Sequence, residues 1–134
     1  MASDPAVAKP ITVELVLGFP PRKLSPNARP SRYELARIKK AYREACKIDA
    51  LKVRNTTAID YPLASQVTAR VVFVVPKGDL PDEDNCTASF KAGWDGIVDS
   101  KLISDDSPKH LHVEETLVIR GARREVRVTL VGAS

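Results

Sequence analysis

The sequence predicts an α/β (α+β) fold, a mixed β-sheet with two helices packed on it, in the chain order β-α-β-α-β-β. Residues 11–17 alternate between apolar and polar side chains, which is typical of a half-buried strand. Residues 67–75, VTARVVFVV, are a short β-branched run of the kind found in central strands. Residues 32–50 and 86–99 repeat apolar side chains at helical spacing, so each is predicted to be a helix.

The first helix has a start signal. Ser31 follows a proline-rich loop, and Glu34 stands three residues after it, which together form a capping box. The predicted apolar stripe of this helix is Leu35, Ile38, Tyr42 and Ala45.

The second half of the chain is predicted to contain a helix and then two paired strands. Gly93 and Gly96 weaken this helix by about 1 kcal/mol each relative to Ala, and they allow close packing against the sheet or another chain. Two alternating segments follow, with the Gly-Ala pair at 121–122 between them, which predicts a hairpin. The apolar face of the first of these strands is predicted to be Leu111, Val113, Leu117 and Ile119.

Length and composition bound the domain organisation. A chain of 134 residues is large enough for one domain with a sizeable core, so residues 1–134 are predicted to be a single domain with residues 1–10 flexible. The first ten residues lack the basic start and apolar run of a signal peptide. Since no stretch approaches the roughly 20 apolar residues of a membrane span, we expect a cytoplasmic protein without membrane contact.

Charge is unevenly distributed along the chain. The segment 82–106 holds seven acids and two lysines, a net charge of −5, whereas the rest carries +9 and the whole chain +4. A chain that is basic except for one acidic segment suits a protein that binds a polyanion and brings a divalent metal to it. A basic domain with a solvated acidic loop explains the same distribution equally well.

The acidic segment contains the candidate metal ligands. Crowded carboxylates raise each other's pKa, so such a cluster usually binds a cation, and hard oxygen ligands suit Mg²⁺ or Mn²⁺ better than zinc. Lys91 and Asp95 are neighbours if the segment is helical, and Asp84 lies on the same face two turns away if the helix reaches that far. Metal-holding carboxylates and a cation that steadies the phosphorane are what phosphodiester hydrolysis needs.

Each of these features also has a structural interpretation. Asp84 or Asn85 can cap the second helix. Lys91 and Asp95 can form a surface ion pair worth under about 1 kcal/mol, and the Asp-Asp pair at 105–106 can belong to a turn. For each feature alone, the structural interpretation is the commoner one. The occurrence of all these features within 25 residues nevertheless favours a catalytic site.

The segment combines D-x-D-N, a Lys, an Asp four residues later and a D-D pair that begins ten residues after that Asp. The matching residues are Asp82-Glu83-Asp84-Asn85, Lys91, Asp95 and Asp105-Asp106. This pattern resembles the RusA-type Holliday-junction resolvases, small endodeoxyribonucleases common in bacteriophages and prophages. The stretch LSPNAR at 24–29 is also similar to the Pro- and Asn-containing opening of that family.

The resemblance implies a Mg²⁺-dependent homodimer that nicks four-way DNA junctions symmetrically. Its metal-binding carboxylates correspond to Asp82, Asp84 and Asp106, with Asp105 as an additional candidate, and its essential lysine to Lys91. The predicted catalytic residues are therefore Asp82, Asp84, Lys91 and Asp106. The chain departs from the founding bacterial member by three extra residues before Lys91. Three residues are nearly one helical turn, so Lys91 can still face the same side.

Candidate DNA-binding residues lie on the first helix and on the loop before it. The helix face opposite the apolar stripe carries more bases than acids, which keeps phosphate contact open, although a solvated face is the commoner interpretation. The predicted DNA-binding residues are Asn27, Arg29, Arg37, Lys40 and Lys47.

The predicted function is a Mg²⁺-dependent, structure-selective DNA endonuclease, with Mn²⁺ as a substitute metal, that resolves Holliday junctions or other branched DNA by paired nicks. Residues 1–134 are then one RusA-like endonuclease domain, acting in the cytoplasm of a bacterial cell or a phage-infected host. The alternative is a non-catalytic branched-DNA-binding module with a structural acidic site. A third hypothesis, a phosphohydrolase of small nucleotides, is disfavoured because the chain lacks a Gly-rich phosphate-cradling loop.

The assembly prediction follows from symmetry. A four-way junction has two-fold symmetry and needs two nicks on opposite strands, whereas one chain carries one acidic segment. A C₂ homodimer supplies two sites with the matching symmetry. The second helix or an exposed sheet edge could form the contact.

Overall fold

The computed structural model describes residues 11–57 and 61–132, and the predicted flexible residues 1–10 lie outside this part of the chain. The strands are β1 (Ile11–Gly18), β2 (Val67–Val75), β3 (Leu111–Arg120) and β4 (Glu125–Gly132), and the helices are α1 (Arg32–Thr56), α2 (Glu83–Ser89) and α3 (Lys91–Asp99). A short 3₁₀ turn, Arg22–Leu24, follows β1. The predicted class is confirmed, a small α+β domain with one mixed sheet, in the order β-α-β-α-α-β-β. No helix in the described ranges is long and apolar enough to cross a membrane.

The strand order β1-β4-β2-β3 corrects the predicted hairpin. β4 pairs antiparallel with both β1 and β2, whereas β3 pairs in parallel with β2. The connection from β3 to β4 therefore crosses the carboxyl end of β2. Gly121 permits this crossing, because a Cβ there would lie 2.4 Å from Cγ1 of Val74 in β2.

A β-bulge in β3 corrects the predicted apolar face of that strand. The register with β2 shifts by one residue at Glu114, between the pairs Ala69–Val113 and Arg70–Glu115. One extra residue reverses the side to which all later side chains point. Leu117 and Ile119 are therefore exposed on the solvent side of the sheet.

The core lies on the other side of the sheet, under α1 and α3. Buried side chains alternate along β1, β2 and β4 and meet the helices there. Phe73 of β2 and Phe90 at the junction of α2 and α3 pack edge to face, with ring centroids 5.9 Å apart. This contact joins the strand that leads into the acidic segment to the helices that carry it.

The start of α1 is as predicted, but its end and its buried stripe differ. The Glu34 N–H donates to Oγ of Ser31 at 3.1 Å, so the Ser31 half of the capping box is confirmed, whereas the Glu34 carboxylate accepts a hydrogen bond from Lys23 instead. The buried positions are Tyr42, Cys46 and Ala50. Cys46 takes the place predicted for Ala45, which is exposed, because a four-residue step follows the helical period more closely than a three-residue step.

The helix continues to Thr56 rather than ending near Ala50. Residues 51–56 contain no Gly or Pro to stop it, and Val53 packs against the core.

The predicted single helix over 86–99 is two helices that meet at Phe90. Phe90 has φ −87° and ψ 0°, outside the helical region. Its buried ring makes edge-to-face contacts with Tyr42, Phe73 and Trp94. The anchored ring interrupts the helix, so Asp84 and Lys91 lie on different helices and not on one helix face.

Gly96 brings α3 directly against α1. A Cβ on Gly96 would lie 2.4 Å from the carbonyl oxygen of Arg43 and 2.9 Å from the backbone nitrogen of Lys47. The close packing that the sequence left open for this glycine is thus against a helix of the same chain.

We expect Gly96→Ala to lower the free energy of unfolding by about 1–3 kcal/mol, because the added methyl group must push the α1 backbone away. This loss exceeds the gain from the higher helix propensity of alanine. Gly18→Ala is the control, since a Cβ there meets nothing within 4 Å. Urea unfolding followed by circular dichroism measures both variants. Equal stability of the two would contradict the close approach of α3 to α1.

Candidate active site

Asp82 begins the acidic site as the N-cap of α2. Its Oδ1 accepts the backbone N–H of Asp84 at 2.7 Å. The N-cap of α2 is therefore Asp82, and not Asp84 or Asn85 as predicted, because the helix begins at Glu83. Capping occupies one oxygen of Asp82, and the exposed Asp84 carboxylate lies in the first turn, where the helix N-terminus favours negative charge.

Lys91, at the start of α3, joins two carboxylates. Its Nζ donates to Oδ1 of Asp95 at 3.1 Å and also to Oδ2 of Asp106. The hydrogen bond to Asp106, followed by that to Asp95, raises the pKa of Lys91 above its ordinary value. The fold thus brings together Lys91 and Asp106, which lie 15 residues apart, and holds the lysine as an ammonium ion.

Asp105 has a different role from Asp106. Its Oδ1 accepts the backbone N–H of Asp106 at 2.8 Å, and this bond, with a smaller contribution from the Ser107 hydroxyl, lowers the pKa of Asp105. Asp105 therefore shapes the turn before β3, while the side chain of Asp106 faces Lys91.

The predicted metal ligands are suited by type but are not gathered into one cluster. Within residues 11–57 and 61–132, no three His, Cys, Asp or Glu side chains are grouped so as to hold a metal ion. Instead, Asp82 and Asp84 lie at the start of α2, whereas Asp106 accepts a hydrogen bond from Lys91 at the start of α3. All three supply the hard carboxylate oxygens that Mg²⁺ prefers, and Asp106 already binds a cationic group.

A pocket of about 320 Å³ opens beside Asp82. Asn85 and Ser89 of α2, Arg22 of the 3₁₀ turn and Arg124 of the β3–β4 connection form parts of its wall. Sequence analysis missed both arginines. The only local signal was the Arg-Arg pair at 123–124, and nothing in the sequence connected that pair with the acidic segment. The strand order makes the connection, because the β3–β4 connection crosses the end of β2 from which the chain leads to Asp82.

A larger cleft, of about 890 Å³, extends from Lys91 between α1 and the loop after β1. Lys39 and Lys40 line it from α1. Arg43 also reaches the cleft, but its guanidinium group donates two hydrogen bonds to Asp99, at 2.6 and 2.9 Å. This pair lowers the pKa of Asp99 and ties α1 to α3, so Arg43 has a structural role.

The five predicted DNA-binding residues lie in four places. Lys40 lines the cleft, and Asn27 and Arg29 line a neighbouring pocket on the loop before α1. Arg29 also stabilises that loop, because its Nη1 donates to the carbonyl oxygens at positions 26 and 28. Arg37 is exposed on α1, and Lys47 is partly buried beside α3.

The two cysteines do not belong to the site. Cys46 and Cys86 are free and buried. Burial raises the pKa of Cys46 to about 11 and also raises that of Cys86. Neither thiol therefore has the low pKa of a nucleophilic cysteine.

Comparison with known proteins adds little to this geometry. No protein-family model matches the chain. The chain is similar to an uncharacterized protein of Xylella fastidiosa, with 33% identity over 93 residues. The match covers 68% of this chain but only 59% of that protein, so the chain spans less than two thirds of the length of its relative.

Proposed function

We propose that this chain is a Mg²⁺-dependent, structure-selective DNA endonuclease that resolves Holliday junctions or other branched DNA by paired nicks. The observation that carries the proposal is the Lys91 ammonium group, which donates hydrogen bonds to Asp95 and Asp106. One short helix, α2, separates it from the exposed carboxylates of Asp82 and Asp84. Two carboxylates paired with a lysine, on a chain that is basic outside residues 82–106, suit a site that acts on a polyanion. The motif resemblance supports the same reaction.

Asp82, Asp84 and Asp106 are the residues that would hold Mg²⁺. A bound Mg²⁺ ion would lower the pKa of a water nucleophile and offset charge on the phosphate. Asp82 can contribute its second oxygen without losing the helix cap, and the hydrogen bond from Lys91 uses only Oδ2 of Asp106.

Lys91 supplies the positive charge of the site. In phosphodiester hydrolysis, negative charge builds on the phosphorane and on the leaving oxygen, and a fixed ammonium group stabilises both. Asp95 accepts a separate hydrogen bond from Lys91, so the ammonium group stays oriented when Asp106 takes part in other interactions. Lys39 and Lys40 extend the positive charge along the cleft, where they can contact backbone phosphates.

A cleavage assay tests the proposal. Purified protein is incubated with a four-way junction, a fork, a flap and a linear duplex of the same arm sequences, each with Mg²⁺, Mn²⁺, Ca²⁺ or EDTA. We expect Mg²⁺ or Mn²⁺ to give symmetric nicks in branched DNA, with little cutting of the duplex and none in EDTA. Release of phosphate from free nucleotides without DNA cleavage would instead support a small-nucleotide phosphohydrolase.

One observation favours a second candidate, a non-catalytic branched-DNA-binding module. The three proposed metal ligands are not assembled into one cluster in the described part of the chain. A binder of this kind would retain junctions in a gel shift without metal and would cut none of the DNA substrates in any metal. The same panel of substrates therefore separates the two candidates.

The proposed paired nicks require two active sites, so we expect a homodimer. Gly93 and Gly96 of α3 pack inside the chain, which leaves the solvent side of the sheet as the better interface. Its edge strand exposes Leu117 and Ile119. Light scattering at micromolar concentration should give a mass near twice 14.7 kDa.

Substitution of the exposed sheet face tests the position of this interface. Leu117→Glu should shift the mass to that of a monomer, because it places a charge in an apolar contact. Tyr33→Glu, at a 91% exposed apolar residue on α1, should leave the dimer unchanged. A wild-type monomer that still makes paired nicks in one binding event would contradict the dimer prediction.

A further inference from the structure

The pocket beside Asp82 contains two arginines with no assigned role. Arg22 and Arg124 are both exposed, and neither forms an ion pair within residues 11–57 and 61–132. The guanidinium carbon of Arg124 lies 5.0 Å from the ring centroid of Phe19. Phe19 is in turn packed edge to face on the buried Phe73, with centroids 5.9 Å apart. Arg124 therefore rests on an aromatic surface that the core holds in place.

This arrangement favours a ligand with several acceptor oxygens. Stacking on an aromatic ring orients the guanidinium plane and leaves its edge, with the N–H donors, open to a ligand. In an ordinary solvated arginine the same side chain has no fixed orientation. Asp79 and Asp82 line the same pocket, so the two arginines also balance carboxylate charge that would otherwise repel an anion.

The pocket also adjoins the rest of the site. Ser25 and Ser89 line both this pocket and the cleft that holds Lys91, Lys39 and Lys40. The pocket that contains Arg124 therefore opens next to the cleft that contains Lys91, Lys39 and Lys40. Positive side chains in both match the repeated negative charge of a single nucleic-acid strand.

We propose that Arg124, assisted by Arg22, binds a backbone phosphate of the DNA strand next to the phosphate that is cut. This inference rests on the proposed function and adds a residue to it. Arg124 positions the strand across Asp82, and it takes no part in the chemistry at the cut phosphate.

The test compares Arg124→Ala with Arg123→Ala. Arg123 is its exposed neighbour in the same turn and does not line the pocket, so it carries the same charge without the stacking position. Affinity for a four-way junction is measured in Ca²⁺, under conditions where no product forms, across a series of salt concentrations. We expect Arg124→Ala to weaken binding by about tenfold or more, and to reduce the salt slope by about one.

Arg124→Lys should give an intermediate affinity with the wild-type salt slope, because it keeps the charge but loses the planar, stacked geometry. Thermal melting of each variant separates these effects from a purely structural role, which would change the melting temperature and leave the salt slope unaltered.

The outcomes separate this inference from the proposed function. A wild-type protein that cuts junctions, with Arg124→Ala and Arg123→Ala showing the same affinity and slope, overturns the inference alone. The proposed nuclease activity is overturned if the wild-type protein never cuts DNA. The phosphate site is still supported in that case if Arg124→Ala loses one phosphate contact and Arg123→Ala does not.

Discussion

Asp84→Asn is expected to abolish nearly all junction cleavage, with a fall of about 10³-fold or more in the single-turnover rate in Mg²⁺. Asparagine keeps the volume of the side chain but loses the charge that would bind the cation. Asp84 is exposed, and its carboxylate accepts no hydrogen bond in the described ranges, so the fold should be unaffected. Junction affinity should stay the same or increase, because one negative charge is removed from the surface proposed to face DNA.

Glu83→Gln is the matched control for Asp84→Asn. Glu83 is an exposed acid in the same first turn of α2, and the substitution removes the same charge from the same helix end. We expect it to keep a cleavage rate within a few-fold of the wild type. Full activity of Asp84→Asn would place the metal site elsewhere. Equal loss in both variants would attribute the effect to the charge of the helix end and not to a metal ligand.

Lys91→Ala is expected to slow cleavage by about 10²-fold or more at saturating protein, because it removes the positive charge proposed to stabilise the transition state. The Lys91 side chain is 65% exposed, although its two partner carboxylates are partly buried, so the variant should lose about 1 kcal/mol of stability or less. Lys109→Ala is the control, since Lys109 is an exposed lysine in the loop that carries Asp106. Rapid-quench kinetics with the junction measures both rates.

The pH dependence gives a second readout for Lys91. The hydrogen bond to Asp106 raises the pKa of Lys91, so the lysine keeps its proton above its ordinary range. The ratio of wild-type to Lys91→Ala rates should therefore stay constant from about pH 6 to 9. Equal single-turnover rates for the two proteins would show that Lys91 acts through DNA affinity alone. A ratio that falls within this pH range would show that Lys91 loses its proton there.

Features that depend on a few neighbouring residues were predictable. The bounds of β2 are those expected from its apolar run, and the predicted N-cap Ser31 marks the start of α1. The Lys91–Asp95 contact follows from helical spacing alone. In each case the interacting groups lie within about one helical turn or one strand, so local backbone geometry decides the outcome.

Features of the acidic helix were predictable only in part. The helical character of the segment is correct, but its interruption at Phe90 depends on Tyr42 and Phe73, which lie in distant parts of the chain. The same interruption separates Asp84 from Lys91. The N-cap of α2 depends on the residue at which the loop after β2 ends. That loop ends at Asp82, so Asp82 is the cap.

The sequence by itself determined the fold class, the position of the acidic segment and the residue types of the candidate site, because local periodicity and charge express these directly. Only the tertiary structure decided the strand order, the contact between Lys91 and Asp106 and the place of Arg124 beside Asp82. Strand pairing depends on which strands can bury both edges, and the glycine at position 121 permits the crossing of β2 that this order requires. Contacts across such a crossing join residues far apart in the chain, and no pattern within one segment records them.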